Sequence, residues 1–419
     1  MSTYKVNQVP NTRPLNSITV ISALPLEVAR IKGIPIKLHF TLVVVSFLVV
    51  STLAVMLMPG LYPGLDIYVY WIMGIVGAII LFVSVLLHEL AHSIVALRYG
   101  LKVREIVLYI FGGVSVIEDQ DEVASKDFRK GFKIAIVGPI TSFGIAGTLA
   151  TVLWFLMYAT LGSYNNSENV SVIVAAGVLQ YGALVNALLG GFNLIPAFPL
   201  DGGRILRSAL LRSKNDYDKS TKITARTGIA ISYGFMGLGF FTMISGSYIS
   251  GMWLLLIGWF LNRTTRSYLA QHQMRSILSG VRLGSIMNTH IIVVRNDMRI
   301  DNLIHEYLDK STKNLFPVTD DFGHLVGVLA TKDVYRVPEY RRNFVHIIDI
   351  MIQKSDLIIM NIENTVDDVL KNMGRKRTGI VFICDQEGKL IGMINKIDIQ
   401  NTANERKHHV KVRVTSRWN

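Results

Sequence analysis

Long apolar runs occupy the first two thirds of the chain and stop near residue 265. A backbone placed in lipid must satisfy its own hydrogen bonds, so only helices or closed barrels can span a membrane. Runs of roughly 20 residues select helices. The runs are Leu38 to Met58, ending at Pro59-Gly60, then Ile67 to Leu97, Phe132 to Leu161 and Val170 to Phe192, with two more at Ile223 to Ile244 and Ile249 to Leu261. Six spans are expected, with a kink or break in the third at Gly138-Pro139. Half of the 419 residues are hydrophobic, which fits a polytopic membrane protein.

The chain carries a net charge of +13, and within its apolar two thirds the basic residues mostly sit in the short connections. Residues 59–66, 161–169 and 245–248 hold no Lys or Arg, whereas the opposite connections carry Arg98, Lys102, Arg104, Lys126, Arg129, Lys130, Arg204, Arg207, Arg212, Lys214, Lys219, Lys222, Arg263 and Arg266. The positive-inside rule then puts both termini in the cytoplasm of a multi-pass protein of the cell membrane. No aromatic-basic alternation of a single-strand platform appears, so nucleic acid is not an expected partner. Residues 1–35 carry Lys5, Arg13, Arg30 and Lys32 without a long apolar core, unlike a secretory signal. The lone cysteine, Cys384, excludes an internal disulfide and a cysteine zinc cluster.

Val103 to Ile117 (VREIVLYIFGGVSVI) reads as extended. It forms either a cytoplasmic hairpin or a re-entrant β segment beside a site, which protein or water would have to cover. Past residue 280 an internal repeat begins. Ser285-Ile286-Met287 opens a first copy and Asp349-Ile350-Met351 a second, each about 55 to 60 residues in β-α-β-β-α order, and paired units of this size bury a common face. The expected organisation is a cytosolic segment 1–35, a membrane domain 36–268, repeat units 281–340 and 344–401, and a basic tail 402–419. Residues 405–419 of that tail are read as solvated or membrane-surface strand or coil. The fold class is thus a polytopic α-helical membrane protein with a short re-entrant β segment, followed by a cytosolic α/β module.

The second span contains His88-Glu89-Leu90-Ala91-His92. Positions i and i+4 share one helix face, so both imidazoles can reach one metal ion, and Glu89 lies near enough to take a proton from water activated there. Zinc suits imidazole, and an ionisable residue in an apolar run is a functional hypothesis by default. The motif lies about 12–18 Å from the helix end, on the cytoplasmic side. A catalytic zinc needs a third protein ligand. Asp201, in Asn193-Leu-Ile-Pro-Ala-Phe-Pro-Leu-Asp-Gly-Gly-Arg204, is the best candidate, since Pro196 and Pro199 break the helix and Gly202-Gly203 permit close approach. An ordinary helix end and an ordinary Asp-Gly turn are the competing readings. His39, near the start of the first span, reads as a surface or packing residue.

These elements together resemble the site-2 protease family of intramembrane zinc metalloproteases over residues 28–265. The matching features are HELAH, Gly112-Gly113-Val114, Gly138-Pro139 and the Asn-x-x-Pro-x-x-Pro-Leu-Asp-Gly-Gly run. The resemblance implies Zn²⁺ bound by His88, His92 and Asp201, with Glu89 as general base. Asn193 would bind substrate or stabilise the oxyanion, and Val103–Ile117 would pair with an unwound transmembrane substrate.

The repeat, over about residues 281–401, resembles a tandem pair of cystathionine-β-synthase (CBS) domains. Its endings, Gly327-Val-Leu-Ala-Thr-Lys-Asp333 and Gly392-Met-Ile-Asn-Lys-Ile-Asp398, match the family's Gly-x-x-Ser/Thr-x-x-Asp pattern in part. The resemblance implies an adenine nucleotide whose ribose meets Asp333 or Asp398. Ala330 and Asn395 stand where a phosphate-binding hydroxyl is usual, with Thr331 beside the first. A ligand-free module for docking or homodimerisation is the other reading. Regulated proteolysis of a membrane protein substrate within the lipid bilayer is the expected function. A CBS-regulated transporter and an inactive adaptor are the alternatives; sparse charges in the other spans and the intact His, Glu and Asp set argue against them.

Overall fold

The computed structural model describes residues 25–110, 112–118, 120–161, 169–310, 313–376 and 379–415. Most of the expected N-terminal segment, and the last four residues of the tail, lie outside these ranges. The described residues divide into two compact units, one up to Ala270 and the other from Gln271.

The first unit opens with two strands that the sequence did not announce, β1 (Leu26–Ile31) and β2 (Ile34–Leu38). Lys32 and Gly33 join them with positive φ of 50° and 81°, the geometry that matches the twist of a two-residue hairpin. The first span follows as α1 (Thr41–Thr52), a π turn at Leu53–Leu57 and α2 (Met58–Leu61). Next come α3 (Ile67–Arg98), β3 (Val103–Tyr109), β4 (Gly112–Ile117), α4 (Gln120–Lys126), α5 (Phe128–Leu161), α6 (Val170–Asn193), α7 (Asp201–Lys214), α8 (Tyr217–Ile244) and α9 (Tyr248–Leu278).

Five of these segments are long and apolar enough to cross a membrane: Thr41–Leu61, Ile67–Arg98, Phe128–Thr160, Val170–Asn193 and Tyr217–Ile244. The sixth expected run, Ile249 to Leu261, forms the start of the 31-residue α9, which is not among these five. Of the kink or break expected at Gly138-Pro139, the break does not occur: α5 runs through both residues. Large apolar side chains such as Phe47, Trp154, Phe241 and Trp253 are exposed on the outer faces, as lipid contact requires.

β3 and β4 belong to a four-stranded sheet in the order β1-β2-β3-β4. β2 runs parallel to β3, and β3 antiparallel to β4 with Ile106 opposite Ser115 and Leu108 opposite Gly113. Lys37 Nζ donates to Glu105 Oε2 at 2.6 Å, tying β2 to β3. This places β4 at the sheet's open edge, packed against α3.

In the second unit the two repeats have the expected β-α-β-β-α order. One sheet runs β5 (Val294–Arg295), β6 (Leu315–Thr319), β7 (Leu325–Ala330), β8 (Ile352–Gln353), and the other runs β11 (Leu390–Asn395), β10 (Ile380–Cys384), β9 (Ile359–Asn361). Leu325 and Val328 of one copy pack with Phe382 and Cys384 of the other, so the copies bury a common face. Their turns also pair, Leu325 N–H donating to Gly388 O and Leu390 N–H to Gly323 O. The tail departs from expectation: a helix spans Lys396–Thr415 where strand or coil was expected beyond residue 405. Asp398 in its first turn favours that helix start.

Candidate metal centre

Helical spacing does what the motif promises. His88 and His92 lie one turn apart on α3, each nearly closed to solvent at 3% and 4% exposure. Asp201, 6% exposed, opens α7 after the Pro-flanked loop. Its Oδ2 stands 3.1 Å from His88 Nε2 and 3.0 Å from His92 Nε2. The ligand atoms of the three residues all lie within 4.8 Å of one another. They form the one such His/Cys/Asp/Glu group among the described residues.

Three observations fit this set to a metal ion. Both imidazoles turn Nε2 inward because Nδ1 is engaged elsewhere: His88 Nδ1 meets Ser142 Oγ at 2.9 Å, and His92 Nδ1 meets the Ile134 carbonyl at 2.6 Å. Such outer partners fix the ring and leave the other nitrogen's lone pair for a metal. Gly138 leaves the space open, since a Cβ there would fall 2.2 Å from His92 Nε2 and 2.6 Å from His88 Nε2. Finally, two imidazoles and one carboxylate are a catalytic zinc donor set, with a fourth position for water or substrate.

Glu89 points from α3 to the sheet edge. Its Oε2 accepts from Ser115 N–H at 3.0 Å and from Ser115 Oγ at 2.8 Å, and Ser93 Oγ donates to Ser115 Oγ at 3.1 Å. Gly113 makes room, because a Cβ there would lie 2.6 Å from Glu89 Cγ. Asn193, the last residue of α6, donates from Nδ2 to Leu189 O at 3.0 Å. Among the described bonds it makes none to His88, Glu89, His92 or Asp201. His39 bonds locally to Thr41 at the start of α1, in line with its expected packing role.

The clamp on the Asp201 segment was not anticipated. Arg207, read from sequence only as a positive-inside charge, is 2% exposed and lies over the rings of Phe198 at 5.5 Å and Tyr217 at 4.7 Å. It donates to Asp121 Oδ1 at 3.1 Å and to Tyr268 Oη at 2.7 Å. Tyr268 stacks on Phe198 at 4.1 Å, and Thr265 Oγ1 donates to Phe198 O at 2.7 Å. The loop before Asp201 is thereby held from α4, α7 and α9. Nothing in local sequence flags these partners, which meet only in the folded chain.

Burial alone would raise the Asp121 carboxyl, but the Arg207 and Arg204 guanidiniums, with hydrogen bonds from Arg207 and Tyr217, hold it below the ordinary carboxylate range. A lowered folded value means that its stabilisation is complete above the unfolded value of about 3.9 and is lost as pH falls through the folded one. The Asp121 side chain is 46% exposed and solvent screens its pairing, so Asp121→Asn is expected to lower Tm at pH 7 by no more than about 2 °C. The deficit against wild type should shrink below about pH 4, as thermal melts across pH would show.

In the repeat module, Asp333 Oδ1 accepts from Arg336 at 3.0 Å. Asp398 and Asn395 bond each other's backbone N–H groups at 2.9 Å, capping the final helix. Thr331 Oγ1 donates to Lys313 O at 3.1 Å. The two aspartates and Asn395 thus have structural partners in this conformation.

The chain is similar to known proteins across both units. The sequence model of peptidase family M50 matches residues 76–235, and that of the CBS domain matches 283–340 and 347–403. The zinc metalloprotease MJ0392 of Methanocaldococcus jannaschii is 31% identical over 378 residues, covering 89% of this chain and 94% of its own. Rip3 of Mycobacterium tuberculosis is 28% identical over 377 residues, covering 90% of this chain and 92% of its own. Among solved structures, the site-2 protease from M. jannaschii is 32% identical, covering 58% of this chain and 95% of that one at a TM-score of 0.38.

Proposed function

Because the chain belongs to peptidase family M50, the site-2 protease type of zinc metalloendopeptidase, with a tandem CBS module, we propose that it cleaves transmembrane or juxtamembrane segments of other membrane proteins at the His88–His92–Asp201 centre. The observation that carries this reading is the convergence of two imidazoles and a distant carboxylate beside Glu89 in an apolar helix.

His88, His92 and Asp201 would hold the ion. Zinc bound there supplies a Lewis acid for the scissile carbonyl and brings water to a pKa near ~7. Glu89 takes the proton from the attacking water and passes it to the departing amide nitrogen, within general acid–base reach. Asn193 turns its amide from Leu189 O toward the substrate or its developing oxyanion. A peptide bond within a helix is shielded by the helix's own hydrogen bonds, so the substrate must unwind. Pairing with the open edge of β4 restores its backbone partners.

Asp201→Ala is expected to lower zinc affinity by at least about 10-fold and to abolish cleavage of a single-span reporter. Zinc per chain, measured after dialysis against a graded chelator series, checks it. Wild-type zinc retention would remove Asp201 from the ligand set.

The proposal includes topology and regulation. The charge asymmetry of the connections supports cytoplasmic termini, a cytoplasmic CBS module and a site toward that side, an arrangement that needs an even number of crossings and so includes α9 as the sixth. The CBS pair regulates cleavage, with an adenine nucleotide as the ligand and Asp333 or Asp398 on its ribose; pairing of two chains through this module is the second arrangement. The copies' buried common face supports a module that responds as one body. Titrating the full-length protein calorimetrically with ATP, ADP, AMP and S-adenosylmethionine is expected to give saturable heat with at least one of them. No heat with any would leave the ligand-free docking role.

A further inference from the structure

The outer edge of β4 carries backbone groups whose direction follows from the register. His39 N–H donates to Leu108 O at 2.9 Å, so Leu108 turns its backbone groups toward β2. By the period of two along a strand, Ile106 does the same. Their antiparallel partners on β4 are Gly113 and Ser115. These two cannot bond to β3 and point their N–H and C=O groups to the open edge. One of these donors is in use: Ser115 N–H is held by Glu89 Oε2.

The carboxylate that must serve the metal is thus parked on a slot that an added strand needs. Two groups of the same residue hold it, since the Ser115 hydroxyl also lies 2.8 Å from Oε2. The hydroxyl accepts from Ser93, which is fully buried, and its own proton faces two Glu89 oxygens, the carboxylate Oε2 at 2.8 Å and the backbone O at 3.0 Å, of which Oε2 is the nearer. Gly113 provides the gap through which the carboxylate reaches the edge.

We propose that Ser115 is the positioning residue of Glu89: its N–H and hydroxyl park the carboxylate on β4, and an extended substrate that pairs with β4 takes the N–H and releases Glu89 toward the metal. The proposal rests on the protease reading above, in which substrate adds to this edge. It couples occupancy of the edge to availability of the base. Without substrate, the Ser115 N–H and hydroxyl both hold the carboxylate; with the strand in place, only the hydroxyl steers it.

Competition for one donor gives a signature that needs no metal and no turnover. The probe is a fluorescein-labelled peptide of about ten residues, alternating valine and threonine between terminal lysines, a length typical of a full strand. Its binding to the purified, chelator-stripped full-length protein is followed by anisotropy. Glu89→Ala, which removes the competitor, is expected to bind the probe about tenfold more tightly than wild type, equivalent to about 1.4 kcal/mol. Glu89→Gln, which still accepts from the N–H, should fall between. Ser115→Pro deletes an N–H that β3 does not use, as an edge strand tolerates, and is expected to lose the probe.

In the zinc-loaded enzyme, Ser115→Ala should lower kcat about tenfold at nearly constant KM, and Ser115→Thr, which keeps the hydroxyl, should restore it. Equal probe affinity in wild type and Glu89→Ala overturns the proposal, as does full binding by Ser115→Pro. Either result would leave the protease reading standing as long as wild type cleaves the single-span reporter. Failure of wild type to cleave would fell that reading instead.

Discussion

Glu89→Gln is expected to abolish proteolysis, with a loss of about 10³-fold or more, while one zinc per chain is retained. Removing a positioned general base costs roughly 10²–10⁴-fold, and here the same group must also return a proton to the leaving nitrogen. Glutamine matches glutamate in shape and can still accept from Ser115 N–H, so the local packing of α3 on β4 is preserved. The ligand set of His88, His92 and Asp201 is untouched. Cleavage of a single-span reporter and zinc content, measured on the same preparation, separate chemistry from metal loss. Unchanged cleavage by this variant would remove the protease mechanism, whereas a transporter would tolerate the change.

Gly138→Ala tests the metal position from the opposite wall. Its Cβ would lie 2.2 Å from His92 Nε2 and 2.6 Å from His88 Nε2, inside the space between the two donors. α5 has little freedom to retreat, being packed against α3, α6 and α7. Alanine is also a better helix former than glycine by about 0.8–1.0 kcal/mol, so the helix itself should not suffer. The expected result is a folded protein whose Tm is lowered by several degrees through overpacking of about 1–3 kcal/mol, with zinc content reduced at least about tenfold and no cleavage. A zinc-replete, active Gly138→Ala protein would mean that the ion does not sit between these imidazoles.

The contrast between Glu89 and Ser115 explains what sequence could and could not deliver. His88, Glu89 and His92 were legible because their geometry is local, fixed by 3.6 residues per turn. Asp201 was legible because prolines and glycines mark a backbone made to bend. Ser142, Ile134 O, Gly138 and Ser115 act across elements, and no spacing rule links them to α3. Arg207 shows the same limit more sharply, since a charge on a cytoplasmic connection and a buried clamp look alike until Phe198, Tyr217 and Tyr268 surround it. β1 escaped notice because its residues are largely exposed and present no apolar face for periodicity to detect. The tail's helix is likewise weakly patterned.

The parallel pairing of β2 with β3 has a consequence for biosynthesis. Lys37 and Glu105, which bond across that pair, are 68 residues apart, and two membrane-crossing helices are made between them. The N-terminal hairpin leaves the ribosome early but has no docking strand until both helices have been threaded into the bilayer. Closure of this sheet is a late, non-local event of the slow kind. Its completion brings Glu89's anchoring strand into a finished edge, so a chain stalled before residue 117 would hold its two histidines without a place to rest the base.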